Sequence, residues 1–180
     1  MNRICRLHKK GDLRVEVQQP DEMTSTSVLV EMQRGGSCGS DIHYYQDGGI
    51  GAIRVQQPII LGHELSGVVR EIGSAVETIA VGDRVAINPS QSCGRCEYCI
   101  AGLQQHCLNM RFMGSAKTLP HVQGGFRDVC IADMSQCHRV LDHVGFAEAA
   151  CAEPLAVCLH AAAQTDGIAG KRVLVTGAGP

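Results

Sequence analysis

Four cysteines within fifteen residues, Cys93-Gly94-Arg95-Cys96-Glu97-Tyr98-Cys99 and then Cys107, constrain this chain more than any other stretch. Cys-x-x-Cys turns present paired sulfurs, and tetrahedral zinc takes four such soft ligands at about 2.3 Å. A site closed by four thiolates keeps no open position, so it holds a loop together and takes no direct part in chemistry. The surrounding segment, 89–114, carries few large apolar residues. A structural zinc supplies roughly 10 kcal/mol of apparent folding free energy to such a lobe. A redox Cys-x-x-Cys pair or an iron–sulfur cluster also uses these thiols, but the tight spacing and the second ligand set described below favour zinc.

The compartment agrees with metal ligation. The start, Met1-Asn2-Arg3-Ile4-Cys5-Arg6, has no apolar run fit for a signal peptide, and no stretch approaches the roughly 18 apolar residues of a membrane span. The expectation is a soluble cytoplasmic protein whose ten cysteines stay reduced and bind metal in preference to forming disulfides. A net charge of −2 gives no basic stripe, which argues against nucleic acid or an anionic membrane as partner.

Hydrophobic residues make up 44% of the 180, enough for one full domain and the start of another. The 21 glycines and the 3% aromatic content point to a β-rich chain with many turns. Alternation over 3–7 and 13–18 around Lys10-Gly11-Asp12 predicts an opening hairpin. Val28–Met32 reads as a strand ending at Gly35-Gly36, Asp41–Gln46 as a helical turn, and Gly48–Gly51 as loop. Leu65–Ile72, the residues after Val81-Gly82-Asp83, and Phe126–Ile131 read as further strands of a barrel or sandwich. From Phe146 to Gln164 the Ala- and Leu-rich pattern predicts one helix or two, with Pro154 breaking or starting one. Lys171–Thr176 is a buried-strand run entering Gly177-Ala178-Gly179, the way a dinucleotide-binding βαβ unit begins. The chain is therefore expected to be part of a longer enzyme.

A second set of ligand-type residues is dispersed: Cys38, His63-Glu64 and Glu153. One thiolate, one imidazole and two carboxylates suit a catalytic zinc, which takes three protein ligands and keeps a position open. Both acids sit beside apolar residues, Leu61 and Leu65 around one and Pro154-Leu155 next to the other. An unpartnered carboxylate avoids such settings.

Taken together, Cys38-Gly39-Ser40-Asp41, Gly62-His63-Glu64-Leu65-Ser66-Gly67-Val68-Val69, Val81-Gly82-Asp83-Arg84-Val85, the four-cysteine lobe, Gly124-Gly125-Phe126 and Val173–Pro180 resemble the medium-chain zinc-dependent alcohol dehydrogenase family. The resemblance covers essentially the whole chain. Ile42-His43-Tyr44-Tyr45, Ala86-Ile87-Asn88-Pro89, Met110–Ser115 and Ala152–Val157 are similar to its polyol and sugar-acid branch above all.

The resemblance implies a mainly β fold with short helices: a GroES-like β-barrel catalytic domain over 1–150, then the first helix and strand of a truncated Rossmann domain over 151–180. It implies two zinc ions, one structural and one catalytic, with NAD or NADP bound by the full-length enzyme, where Gly177 and Gly179 would approach the cofactor. Cys38 and His63 match catalytic ligands. Glu153 stands where simple alcohol dehydrogenases have a second cysteine, and whether it or Glu64 ligates directly stays open. Ser40 and His43 match a proton relay, with a helix N-cap as the other reading of Ser40. Tyr44, Arg111 and Phe112 are expected on the pocket wall, Arg111 facing a substrate carboxylate; core packing for Phe112 and a surface ion pair for Arg111 are the alternatives.

The implied activity is oxidation of a secondary hydroxyl of a polyol or sugar acid to a ketone. An amino-alcohol dehydrogenase of the threonine type and a non-catalytic zinc-stabilised binding module are the alternatives. The full-length enzyme is expected to be a homo-oligomer, and this chain without its cofactor domain to be inactive.

Overall fold

Apolar and polar residues alternate on both sides of Gly11, whose φ of 71° makes the turn. The result is an antiparallel hairpin, β1 (Asn2–Lys9) and β2 (Asp12–Gln18), with Cys5 opposite Val15. The computed structural model describes residues 1–165 and 167–177. After the hairpin come β3 (Ser27–Gly36), α1 (Gly39–Asp47), the small hairpin β4 (Gly49–Ile50) and β5 (Ile53–Arg54), β6 (Ile59–Ile60) and β7 (Glu64–Ile72). Then follow β8 (Arg84–Ile87), β9 (Ser90–Gln91), α2 (Glu97–Ile100), β10 (Arg111–Phe112), β11 (Val129–Asp133) and β12 (Cys137–Arg139). Two helices, α3 (Phe146–Ala150) and α4 (Ala152–Ala163), end the described secondary structure.

Five strands form the main antiparallel sheet, in the order β11-β3-β7-β8-β12, and a second sheet runs β2-β1-β6. Aliphatic residues at alternating positions, most of them β-branched, bury one face of the main sheet: Val28, Val30, Leu65, Val69, Val85 and Ile87 pack with Cys130. A second core gathers Leu7, Tyr44, Ile59, Leu61 and Ala116 under α1, with Phe126 against it. The mainly β fold expected from the glycine-punctuated strands is what the chain forms.

β3 ends at Gly35-Gly36 as expected, with both glycines still paired to β7 and Gly36 opposite Glu64. Other local expectations change. Gly49 and Ile50 form a short hairpin where a loop was expected. Phe126 lies outside β11, because its N–H is taken by the carbonyl of Leu61 at 3.0 Å. Cys38, not Ser40, caps α1.

The two-helix reading of 146–164 is realised, with Pro154 in the first turn of α4, where a missing N–H leaves nothing unpaired. α3 is pinned to the main sheet by Ser66, whose fully buried hydroxyl donates to the Phe146 carbonyl at 2.6 Å. Arg84 lies over the Phe146 ring, 4.3 Å from its centroid. These ties seat the start of α4, and so Glu153, beside the main sheet.

The strand expected over 171–176 does not form: residues 172–177 carry no ladder, and Val173, Leu174 and Val175 are exposed. A strand of a parallel sheet is held by neighbours on both sides, and none of the described strands pairs with this segment. Among the described residues no helix is long and apolar enough to cross a membrane.

Candidate metal centres

The lobe between β9 and β10 brings the Cys93, Cys96, Cys99 and Cys107 sulfurs within 4.8 Å of one another. Gly94 (φ 69°) turns the first Cys-x-x-Cys loop, and α2 carries Cys99 inward. Cys96 and Cys99 Sγ approach to 3.5 Å. The Cys93 N–H donates to Cys107 Sγ at 3.2 Å and the Asn109 N–H to the same sulfur at 3.4 Å.

The N–H of Arg95, helped by that of Cys96, draws the Cys93 thiol down to about 6. Burial pushes Cys99 up to about 11, with the neighbouring Cys96 adding to the effect. Four sulfurs this close ionise together only around a shared dication, and the donor set fits zinc.

The second set is assembled by backbone geometry. Cys38 leaves β3 and caps α1. Three residues on, Asp41 is 5% exposed, and its carboxylate joins two loops. Oδ2 accepts from the Cys38 N–H at 3.1 Å, and Oδ1 accepts from the Gly62 N–H at 3.1 Å. Oδ1 also lies 3.9 Å from His63 Nδ1.

The 61–63 loop is clasped from its other side. The N–H groups of Gly124, Gly125 and Phe126 donate to the carbonyls of Ile60, Gly62 and Leu61 at 2.6, 2.9 and 3.0 Å. Gly62 has φ 93°, and a Cβ there would run into the Phe126 ring. His63 is thereby buried, its ring tilted 59° against Phe112 with centroids 5.2 Å apart.

Glu64 opens β7 directly across from Gly36, with its carboxylate over the space a Cβ at Gly36 would fill. The outcome is that Cys38, His63 and Glu64 each place a ligand atom within 4.8 Å of the others. His63 Nδ1 is buried without a hydrogen-bond partner, an arrangement that is costly for a bare imidazole. A thiolate, an imidazole and a carboxylate converging in this way fit a zinc with an open position.

Gly36→Ala tests the arrangement of Glu64. The added methyl is expected to displace its carboxylate and weaken zinc binding at this set by roughly 10–100-fold, while the cysteine lobe keeps its metal. Metal competition titration of the variant measures both sites.

Glu153 is not within that close set. It lies on α4, half-buried, and its carboxyl is raised above the usual range by burial; the nearby His63 lowers it and Glu64 raises it further. Of the two acids left open by the sequence, the geometry groups Glu64 with Cys38 and His63. Glu153 instead lines an adjoining cleft of about 530 Å³, together with Ile87, Asn88, Phe112 and Val157.

Ser40, half-buried, is the second residue of α1. His43 is three residues further along, exposed, with Nδ1 3.0 Å from the Asp47 carboxylate. Residues three apart share a helix face. Phe112 lines the cleft, whereas Tyr44 and Arg111 do not. Tyr44 is a core residue whose hydroxyl accepts from the Ala116 N–H at 3.1 Å. Arg111 precedes Phe112 on β10, so the two point to opposite faces, and Arg111 lines a different depression beside Gln91 and Arg127. Gly177 is described and in no contact that fixes a cofactor site, while Gly179 lies outside the described residues.

Asp41 and Gly36 received no role from the sequence. Asp at the third position of a helix whose cap is a ligand cysteine is the signal that could have found the former.

Residues 24–142 match the family described as alcohol dehydrogenase GroES-like domain. The chain is 44% identical over 163 residues to the L-idonate 5-dehydrogenase (NAD(P)(+)) of Escherichia coli K12, covering 91% of this chain and 47% of that protein. It is 36% identical over 174 residues to the sorbitol dehydrogenase of Bacillus subtilis 168, covering 97% of this chain and 48% of that protein. The crystal structure of L-idonate 5-dehydrogenase from Escherichia coli K-12 MG1655 superposes with a TM-score of 0.89 at 41% identity, covering 95% of this chain and 49% of that one. The chain spans about half the length of the curated relatives it matches.

Proposed function

The chain belongs to the alcohol dehydrogenase family through its GroES-like domain, and from that premise we propose that it is the catalytic portion of a zinc-dependent, NAD(P)-linked dehydrogenase of polyols or sugar acids. Residues 1–150 would be the catalytic domain, and 151–180 the lead into the cofactor domain. The observation that carries this reading is the convergence of Cys38, His63 and Glu64 within 4.8 Å beside a cleft. The likeness to L-idonate and sorbitol dehydrogenases supports the substrate class.

Cys38, His63 and Glu64 would hold the catalytic zinc, and the four lobe cysteines the structural one. When bound, the catalytic zinc supplies a Lewis acid for a hydroxyl oxygen, and the nicotinamide supplies the hydride acceptor. The chain's own groups do the rest. Phe112 and the apolar cleft wall hold the substrate carbon chain and keep water away from the reacting carbon. Glu153 faces that cleft as a hydrogen-bond partner for a substrate hydroxyl. Ser40 takes the hydroxyl proton and passes it towards His43, whose other side is steadied by Asp47 and which releases it to solvent. Because Arg111 faces elsewhere, it does not select an acid over a neutral polyol at this cleft.

Elemental analysis of this chain is expected to give about two zinc ions, falling to about one in Cys38→Ala. The full-length enzyme is expected to oxidise polyols or aldonates with NAD or NADP in preference to threonine. A chain with metal on the lobe cysteines alone would favour a binding module, and turnover of threonine without polyols would favour the amino-alcohol reading. Either outcome overturns the proposal.

A further inference from the structure

We propose that β2 is a dimerisation edge, along which two copies of this chain pair antiparallel about a two-fold axis through Val15. β2 is the terminal strand of its sheet. The direction of its free backbone groups follows from β1. The Cys5 N–H donates to the Phe126 carbonyl at 2.8 Å and the Arg3 carbonyl accepts from the Asp128 N–H at 2.9 Å. Both residues therefore turn their backbone groups away from β2. Their partners in register are Val15 and Val17. In an antiparallel ladder such pairs alternate with hydrogen-bonded ones, so Leu13, Val15 and Val17 aim their N–H and C=O groups at the open edge.

The same three residues carry the exposed apolar side chains of the strand, at 43%, 75% and 62%. Edges that must stay single are blunted by unpaired charge, Lys above all, by Pro or by a bulge, and the charges of β2, Asp12, Arg14 and Glu16, are paired within the chain. β2 contains neither Lys nor Pro, and the register shift of the hairpin lies between Leu7 and Lys9 of β1.

The sequence of the strand selects the occupant. Pairing Asp12-Leu13-Arg14-Val15-Glu16-Val17-Gln18 with itself about Val15 sets Val15 against the partner's Val15, Leu13 against the partner's Val17, and Arg14 against the partner's Glu16. Symmetry makes the last two contacts occur twice. Leu13, Val15 and Val17 form the hydrogen-bonded pairs, which leaves Arg14 and Glu16 in the closer, non-hydrogen-bonded positions, where opposite charges attract most.

The two adjacent registers that keep the backbone groups matched both fail. One places Arg14 against the partner's Arg14 and Asp12 against the partner's Glu16; the other places Glu16 against the partner's Glu16. Charge complementarity thus singles out one register and a second copy of this strand. Glu16 already meets Arg6 and His8, and Arg14 already meets Asp12. A carboxylate and a guanidinium have acceptor and donor positions left for one more partner each.

Sedimentation of the 180-residue chain over a range of concentrations tests this, with circular dichroism and melting curves showing that each variant is folded. The parent is expected to dimerise, Val15→Lys to be monomeric, and Arg14→Glu to weaken the dimer by about tenfold or more through two like-charge pairs. Val15→Cys is expected to give a reducible covalent dimer under oxidation that leaves the parent uncrosslinked, since opposed residues about 5.5 Å apart at Cα lie within disulfide range. A parent that stays monomeric overturns the proposal, and so does a dimer equally tight in Arg14→Glu, which would place association on another surface. Should Val15→Lys fail to fold, Arg14→Glu at an exposed position decides alone.

Discussion

Replacing Cys107 with alanine is expected to unfold the segment from Cys93 to Asn109 while the main sheet and the β2-β1-β6 sheet remain. The lobe has little else to hold it. Its only regular structure is α2 and a three-residue 3-10 turn, Gln104–His106, and Ile100, Leu103 and Leu108 are exposed. What converges at its centre is sulfur: Cys99 and Cys107 are its buried side chains. A structural zinc at four thiolates is worth about 10 kcal/mol or more of apparent folding free energy, and no apolar cluster in the lobe can replace that. Proteolysis confined to 93–109, loss of amide protection there and a fall in zinc from about two to about one per chain are the expected readouts. Chelation of the parent should reproduce the first two. A variant that stays protected and retains its full metal content would mean that packing, not metal, shapes the lobe.

Asp41→Ala is expected to lower stability by about 2–5 kcal/mol, because two N–H groups, of Cys38 and of Gly62, lose their acceptor inside the protein. The effect on metal is separate. Without the carboxylate nothing ties the start of α1 to the loop of His63, and affinity at the Cys38 set should fall roughly 10–100-fold. Asp41→Asn fills the same volume but turns one acceptor into a donor that faces an N–H, so an intermediate loss is expected. Urea melts report the stability, and zinc competition reports the site. An alanine variant with unchanged affinity would show that the two loops hold their positions without Asp41.

Both predictions rest on features that differ in how plainly the sequence displays them. The lobe is legible because its four ligands lie in one short segment, so spacing alone specifies geometry. Cys38, His63 and Glu64 were legible as motifs, although their meeting depends on β3 and β7 being neighbours, which no local pattern encodes. Tyr44 was misplaced for a plain reason: α1 is short, and which side of it meets the second core is decided by Leu7 and Leu61 from elsewhere in the chain. Arg111 and Phe112 are adjacent in sequence but, on a strand, fall on opposite faces. The run 171–176 has a strong strand signature, yet strand pairing is a property of partners. Asp41 closes the Cys38-Gly39-Ser40-Asp41 motif, but its burial between two loops is a tertiary fact.

The clasp of Gly124–Phe126 on Ile60–Gly62 has a bearing on the order in which this chain matures. Four sulfurs between 93 and 107 can find one another by closing a small loop, whereas the His63 turn is fastened by residues more than 60 positions downstream. Closure entropy and contact order both make the distant fastening the slower event. An emerging polypeptide can therefore gather its four lobe cysteines early, while the imidazole waits for the distant Gly124–Phe126 segment to arrive.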